Sequence, residues 1–205
     1  GALFTGRISR DTQPWLADHG GLGIVLFPAT AFIELALHAG DRLGCAGLRE
    51  LTLASPLILP ERGAVQIQGA GADPGEDGTR TIAIHSRPAD EAEDGGWTLN
   101  ATGELTTIAA GQGEPEPTDW PPTGVDPVEL EGFYGRLAEI GIEYGAAFQG
   151  LTAAWRDGDH LWAEVSLGAG EEGSAAEFAI HQALLDAALH AAAAFGLAAC
   201  GAQGF

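Results

Sequence analysis

The chain has 205 residues, 45% of them hydrophobic, enough for one sizeable core or two small ones. Its 29 acids against nine basic residues set a formal charge of −20, a field that repels phosphate backbones and anionic lipid. Nucleic acid and membrane surfaces are therefore excluded as partners, and no apolar run reaches the ~18 residues of a transmembrane span.

The opening residues, Gly1 to Arg7, lack the basic and apolar regions of a secretory signal, so a soluble, cytoplasmic protein is expected. The sequence has no methionine and opens directly on an apolar segment, which predicts a piece of a longer polypeptide. All nine basic residues are Arg, and Ala and Gly abound, as a GC-rich genome would dictate. Cys45 and Cys200 are too few for a disulfide framework and are expected to be reduced. Much of the acidity falls in loop-like stretches (Asp73 to Asp77, Asp90 to Asp94, Glu114 to Asp119, Glu171 to Glu177), where solvation explains it.

In chain order, the first distinctive segment is His19-Gly-Gly-Leu22-Gly23-Ile-Val-Leu-Phe-Pro28. Gly23 would let a backbone N–H approach a ligand closely, and Pro28 opens a helix whose N-terminus carries a partial positive charge. That helix is predicted over Ala29 to Ala39, closed by Gly40, with Ala31, Leu35 and His38 on one face and Phe32 and Ala36 beside it. Strands are predicted at Leu48 to Leu53, Ala64 to Ala70, Thr79 to Ser86 and Trp97 to Thr107, separated by Gly and Asp clusters as in an antiparallel meander. A Pro-rich bridge at residues 114–127 holds five prolines and can continue neither a helix nor a central strand. It divides the chain into halves at 1–113 and 128–205. Beyond it, Pro127 to Ile140 reads as a helix ended by Gly141, Leu161 to Leu167 as a strand, and Ile180 to Leu197 as a helix apolar nearly all round and hence buried. A helix among antiparallel strands in each half indicates an α+β fold.

Two further segments carry chemistry: Gly141-Ile-Glu-Tyr144-Gly-Ala-Ala-Phe148-Gln149-Gly150 and His181-Gln-Ala-Leu-Leu-Asp186-Ala-Ala-Leu-His190. Asp186 and His190 stand four apart and share a helix face. On an apolar helix a buried, unpaired carboxylate is costly, which favours the protonated acid an acid catalyst needs. The bland alternative is that the two residues merely satisfy each other in a core. A lone His19 is more often structural than catalytic, and His38, His85 and His160 are given no role.

Together the three segments resemble the dehydratase domain of modular type I polyketide synthases. They match its His-x-x-x-Gly-x-x-x-x-Pro, Gly-Tyr-x-Tyr-Gly-Pro-x-Phe-Gln and Asp-x-x-x-Gln/His motifs in the family's order. The flanks Trp15-Leu16-Ala-Asp18, Thr30-Ala-Phe-Ile-Glu34-Leu, Ser55-Pro56-Leu and Ala101-Thr-Gly103 are similar as well. The resemblance implies a double hot-dog fold, two antiparallel sheets each wrapped around a central helix, with the C-terminal half incomplete. It further implies loss of water from a β-hydroxyacyl thioester on the phosphopantetheine arm of an acyl carrier protein, giving a trans enoyl thioester during polyketide elongation. On that pattern His19 is the base and Asp186 the acid. His190, Gly23, Tyr144 and Pro28 support them, and Phe148, Gln149 and Leu22 line the substrate tunnel. No cofactor and no metal are implied. The partners are the carrier protein and other domains of the synthase, which is expected to be a homodimer. Carrier proteins are acidic, as this chain is, so tethering rather than long-range attraction would bring them together.

Ile142, Ala146, Ala29 and Gln182 depart from the family's usual Tyr, Pro, Gly and Pro, and none removes a reacting group. Three competing readings remain: the same fold shifting a double bond or closing a pyran ring, a metal site built from His19, Asp186 and His190, and a non-catalytic structural domain.

Overall fold

The computed structural model describes residues 1–91, 95–109, 118–168, 170, 171, 173 and 175–202, with 197–202 as backbone only. Residues 114–117 of the Pro-rich bridge, and the Cys200 side chain, lie outside the described residues. The chain forms two compact units, Gly1–Gln112 and Gly113–Phe205.

The first unit contains strands β1 (Ala2–Ile8), β2 (His19–Gly21) and β3 (Ile24–Leu26), helix α1 (Ala29–Arg42), and strands β4 (Gly47–Leu53), β5 (Ile58–Leu59), β6 (Val65–Gly71), β7 (Arg80–Pro88) and β8 (Thr98–Thr106). Five of these form an antiparallel sheet in the order β1-β6-β7-β8-β4. Alternation along β6 and β7 turns Val65, Ile67, Ile82 and Ile84 inward, where they meet Phe32, Ala36 and Ala39 of α1 in one apolar cluster. The four predicted strands fall within a residue or two of β4, β6, β7 and β8.

Helix α1 corrects two expectations. It runs through Gly40 to Arg42, because Gly40 lies against Leu105, where a Cβ would stand 3.1 Å from a methyl carbon. The stop is Gly44, at φ +72: its N–H bonds to the Asp41 carbonyl, and the Cys45 N–H bonds to that of Gly40. Those two bonds are the Schellman closure that a left-handed glycine permits. The buried residues are Thr30, Ala31, Phe32, Glu34, Ala36, Ala39 and Gly40, so Ala31 is buried as expected and Leu35 half-buried, whereas His38 is exposed.

The second unit contains β9 (Asp126–Pro127), α2 (Phe133–Glu139), β10 (Glu143–Tyr144), β11 (Leu151–Asp157), β12 (His160–Val165) and α3 (Gln182–Ala202). β12, β11 and β9 form a three-stranded antiparallel sheet. The helix predicted from Pro127 is shorter than expected, since Asp126–Pro127 pair as an edge strand with Trp155 and Arg156. Val128 N–H then bonds to the Ala154 carbonyl, and Gly132 at φ +66 turns the chain into α2. Helix α3 is not buried all round. Ala183, Ala187, Ala191 and Ala194 face the protein together with Asp186 and His190, while Leu189 is 56% exposed and Ala188, Ala192 and Ala193 share its face. A three-stranded sheet covers only one side of a helix.

Candidate active site

His19 opens β2, which turns back on β3 through a two-residue hairpin with Gly20 opposite Val25 and Gly21 opposite Ile24. This brings the imidazole to the far end of β3, where Nδ1 lies 2.9 Å from the Leu26 carbonyl oxygen. A carbonyl only accepts, so Nδ1 carries the proton and the neutral ring keeps its lone pair on Nε2. Local folding has thus set the tautomer a base requires. The ring opens on a pocket of about 330 Å³ lined by Phe27, Phe32, Leu53, Ala54, Ser55 and Pro56, among others. Phe27 and Phe32 meet edge to face at 5.0 Å in its wall. The lining segment Ala54–Ser55 is pinned by the buried Asn100, whose backbone carbonyl accepts from Ala54 and Ser55 N–H and whose Nδ2 donates to the Ser55 carbonyl.

Leu22 and Gly23 form the hairpin turn, both at positive φ (53° and 78°), the geometry that matches the twist of two paired strands. Nothing stands within 4 Å of where a Gly23 Cβ would be, so its backbone is approachable. Gly23 is not at the helix start, because β3 and Phe27 separate it from Pro28, which is the N-cap of α1. Leu22 is 85% exposed at the hairpin tip and does not line the pocket that His19 faces.

In the second unit, the His181 ring accepts from Ala183 N–H at 3.3 Å and caps α3. One turn on, the buried Asp186 Oδ2 lies 3.0 Å from Nε2 of the buried His190. The bland alternative of a mutually satisfied pair is therefore met in part, since the two do bond. The imidazole is also set among aromatic rings, with centroids 4.3 Å from Tyr144, 5.6 Å from Tyr134 and 6.3 Å from Phe133. Burial, with the Asp186 charge and Tyr134 adding to it, pushes the Tyr144 phenol up to about 12. It therefore stays an O–H group at any working pH. Phe148 is fully buried and stacked beside Tyr144 at 6.4 Å, and Gln149 Nε2 donates to the Tyr144 carbonyl. Those two residues hold the Tyr144 segment in place.

Tyr134, to which the sequence assigns no role, joins this cluster. Its hydroxyl lies 3.3 Å from His190 Nδ1 and accepts from Leu151 N–H at 3.0 Å. The available signal was that Tyr134 and Tyr144 are the only two tyrosines in the chain, both close to the motif segments. Among the described residues no group of three or more His, Cys, Asp or Glu is placed to hold a metal ion.

Residues 1–87 match the model of the polyketide synthase dehydratase domain, and residues 112–202 that of the polyketide synthase dehydratase N-terminal domain. A solved dehydratase from work on substrate selection by the borrelidin and fluvirucin polyketide synthases superposes with a TM-score of 0.88 at 47% identity, covering 97% of this chain and 69% of that one. This chain belongs to the polyketide synthase dehydratase domain family. Its α+β fold is the family's double hot-dog.

The chain is also 52% identical over 194 residues to the spectinabilin polyketide synthase system protein NorA' of Streptomyces orinoci. That match takes 95% of this chain but only 5% of the relative's length. The dehydratase of the CurK module of the curacin polyketide synthase is more distant, at 26% identity and a TM-score of 0.76, covering 91% of this chain and 66% of that one. Variants of CurK with one Asp replaced by Asn, or one His by Phe, are inactive. Of the departures from the family's motifs, Ile142 is 40% exposed, Ala146 opens the turn that carries Phe148, and Ala29 and Gln182 begin helices.

Proposed function

We propose that this domain removes water from a β-hydroxyacyl thioester carried on the phosphopantetheine arm of an acyl carrier protein, giving the trans enoyl thioester. The observation that carries the reading is the hydrogen bond from His19 Nδ1 to the Leu26 carbonyl, which leaves Nε2 as a proton acceptor. His19 Nε2 takes the proton from the α-carbon, the C–O bond at the β-carbon breaks, and Asp186 delivers its proton to the departing hydroxyl. One water leaves, one C=C bond forms, and no electrons enter or leave, so no cofactor is needed. His19 ends charged and Asp186 ionised, and solvent resets both.

Backbone N–H groups near Gly23 would receive the charge that develops on the thioester carbonyl, because the carbonyl oxygen gains negative character as the α-proton leaves. Tyr144, held as a neutral phenol, is suited to donating a hydrogen bond to the leaving oxygen. The loss of activity in CurK on exchange of an Asp or a His agrees with a two-residue acid–base pair. That the chain takes up only 5% of NorA' supports partners among the other domains of a synthase; a carrier protein and a homodimeric cytoplasmic assembly are part of the same reading.

The test is to offer the protein a 3-hydroxyacyl group on a carrier-protein arm and follow the acyl mass. Loss of one water, with a conjugated enoyl chromophore, is expected. Loss of water without the conjugated chromophore, or a cyclic ether product, would replace this reading with a double-bond shift or ring closure. An unchanged substrate would leave a structural role.

A further inference from the structure

Asp186 can act as an acid only if the proton it carries is directed at substrate and not back into the protein, and the His190 ring decides which. Two arrangements satisfy the Asp186–His190 bond. In one, His190 Nε2–H donates to Oδ2, so a proton on Asp186 resides on Oδ1. In the other, Asp186 donates from Oδ2 to a bare Nε2, and its proton is locked in the core.

The choice is made at the other ring nitrogen. Tyr134 Oη accepts the Leu151 N–H at 3.0 Å, a bond whose direction is fixed because an amide only donates. The hydroxyl hydrogen then needs an acceptor, and His190 Nδ1 lies 3.3 Å away. With Nδ1 accepting, the neutral ring holds its proton on Nε2, which donates to Asp186 Oδ2 at 3.0 Å. In the opposite arrangement Tyr134 would accept twice, from Leu151 and from Nδ1, and its own hydrogen would have no acceptor in the bonds it makes among the described residues. Leu151 and His190 are buried, so water is a poor substitute there.

We propose that Tyr134 is a positioning residue: through its bond to Nδ1 it fixes His190 as the Nε2–H tautomer, which donates to Oδ2 and so places the proton that Asp186 carries on Oδ1. This rests on the dehydratase reading above.

The test has two arms. In the first, the chain is labelled with nitrogen-15 histidine, the His190 ring is assigned by its loss in His190→Gln, and spectra are taken where the ring is neutral. The wild type should show Nε2 protonated and Nδ1 bare, and Tyr134→Phe should show a mixture or the Nδ1–H form. Nδ1–H in the wild type, or an unchanged ring in Tyr134→Phe, overturns the proposal. Because the first of these needs only the wild type, it holds even if Tyr134→Phe does not fold. In the second arm, Tyr134→Phe should lower kcat on a 3-hydroxyacyl pantetheine thioester roughly tenfold, the worth of about one hydrogen bond, with KM nearly unchanged. The same exchange should cost nothing further in a His190→Leu background, and a full additive loss there would show that Tyr134 acts only on folding. If the wild type forms no enoyl product, the dehydratase reading fails, and the ring-nitrogen arm alone decides the tautomer.

Discussion

In the first unit α1 lays Phe32, Ala36 and Ala39 on a five-stranded sheet, and among the described residues the resulting cluster has 15 buried apolar members. In the second, α3 packs on a three-stranded sheet, the cluster has six described members, and the buried polar groups of the helix include Asp186 and His190, which bond to each other. The histidines differ in the same way. His19 Nδ1 is held by the backbone carbonyl of Leu26, whereas His190 sits in a cage of three aromatic rings and bonds through both nitrogens to side chains. One histidine is fixed by the backbone, the other by side chains. A buried acid needs its polar neighbours satisfied, and the bonds that link Asp186, His190 and Tyr134 supply this.

The sharpest way to break this contrast is to remove each reacting group. His19→Phe and Asp186→Asn should each cost about 10²–10⁴ in dehydration rate, while far-ultraviolet circular dichroism stays native. A rate that survives either change would strip that residue of its role. His190 exchanges should be milder, since His190 orients the acid without donating to substrate.

The core contrast comes next. Ile84, 1% exposed between β6 and β8, serves packing alone, so Ile84→Ala should lower unfolding free energy by about 2–5 kcal/mol with kcat per folded molecule unchanged. Phe133→Ala should lower stability by about 3–5 kcal/mol and reduce kcat too, because that ring also packs toward His190. Equal effects of the two on kcat would erase the distinction between the units.

The smallest effect is a titration. Tyr144 and Tyr134 are both raised, mainly by burial, Tyr144 to about 12. The native state therefore holds phenolic protons that the unfolded chain loses near pH 10, about the usual tyrosine value. The stabilisation is complete below about pH 10 and is lost as pH climbs toward about 12. Phenolate absorbance should rise well above the usual range in the native protein and return to it in urea. A native titration at the ordinary value would mean that the phenols are solvated.

Much of this was legible in the residues, and for identifiable reasons. Strands β4, β6, β7 and β8 are bounded by Gly and Asp clusters and alternate cleanly, so pattern located them. The Asp186–His190 pair follows from helical spacing. Strand β11 was missed because Ala153 and Ala154 carry little β-propensity and its pairing with β12 supplies what the side chains do not. Pro127 was read as a helix start because its role on an edge strand depends on Trp155, 28 residues away, as their pairing shows. Gly40 was read as a stop because sequence does not show that Leu105 packs against it. In the site, the Leu26 carbonyl and the Tyr134 hydroxyl were invisible for the same reason. Each acts through a contact that only the folded backbone creates.

The claim on which the mechanism turns is that backbone geometry has already made His19 a base. Nitrogen-15 spectra of its ring, recorded where the imidazole is neutral, read this directly. The account predicts a protonated Nδ1 held by the Leu26 carbonyl and an unprotonated Nε2. A ring that instead carries its proton on Nε2 could not accept one there from the α-carbon, and would contradict the assignment.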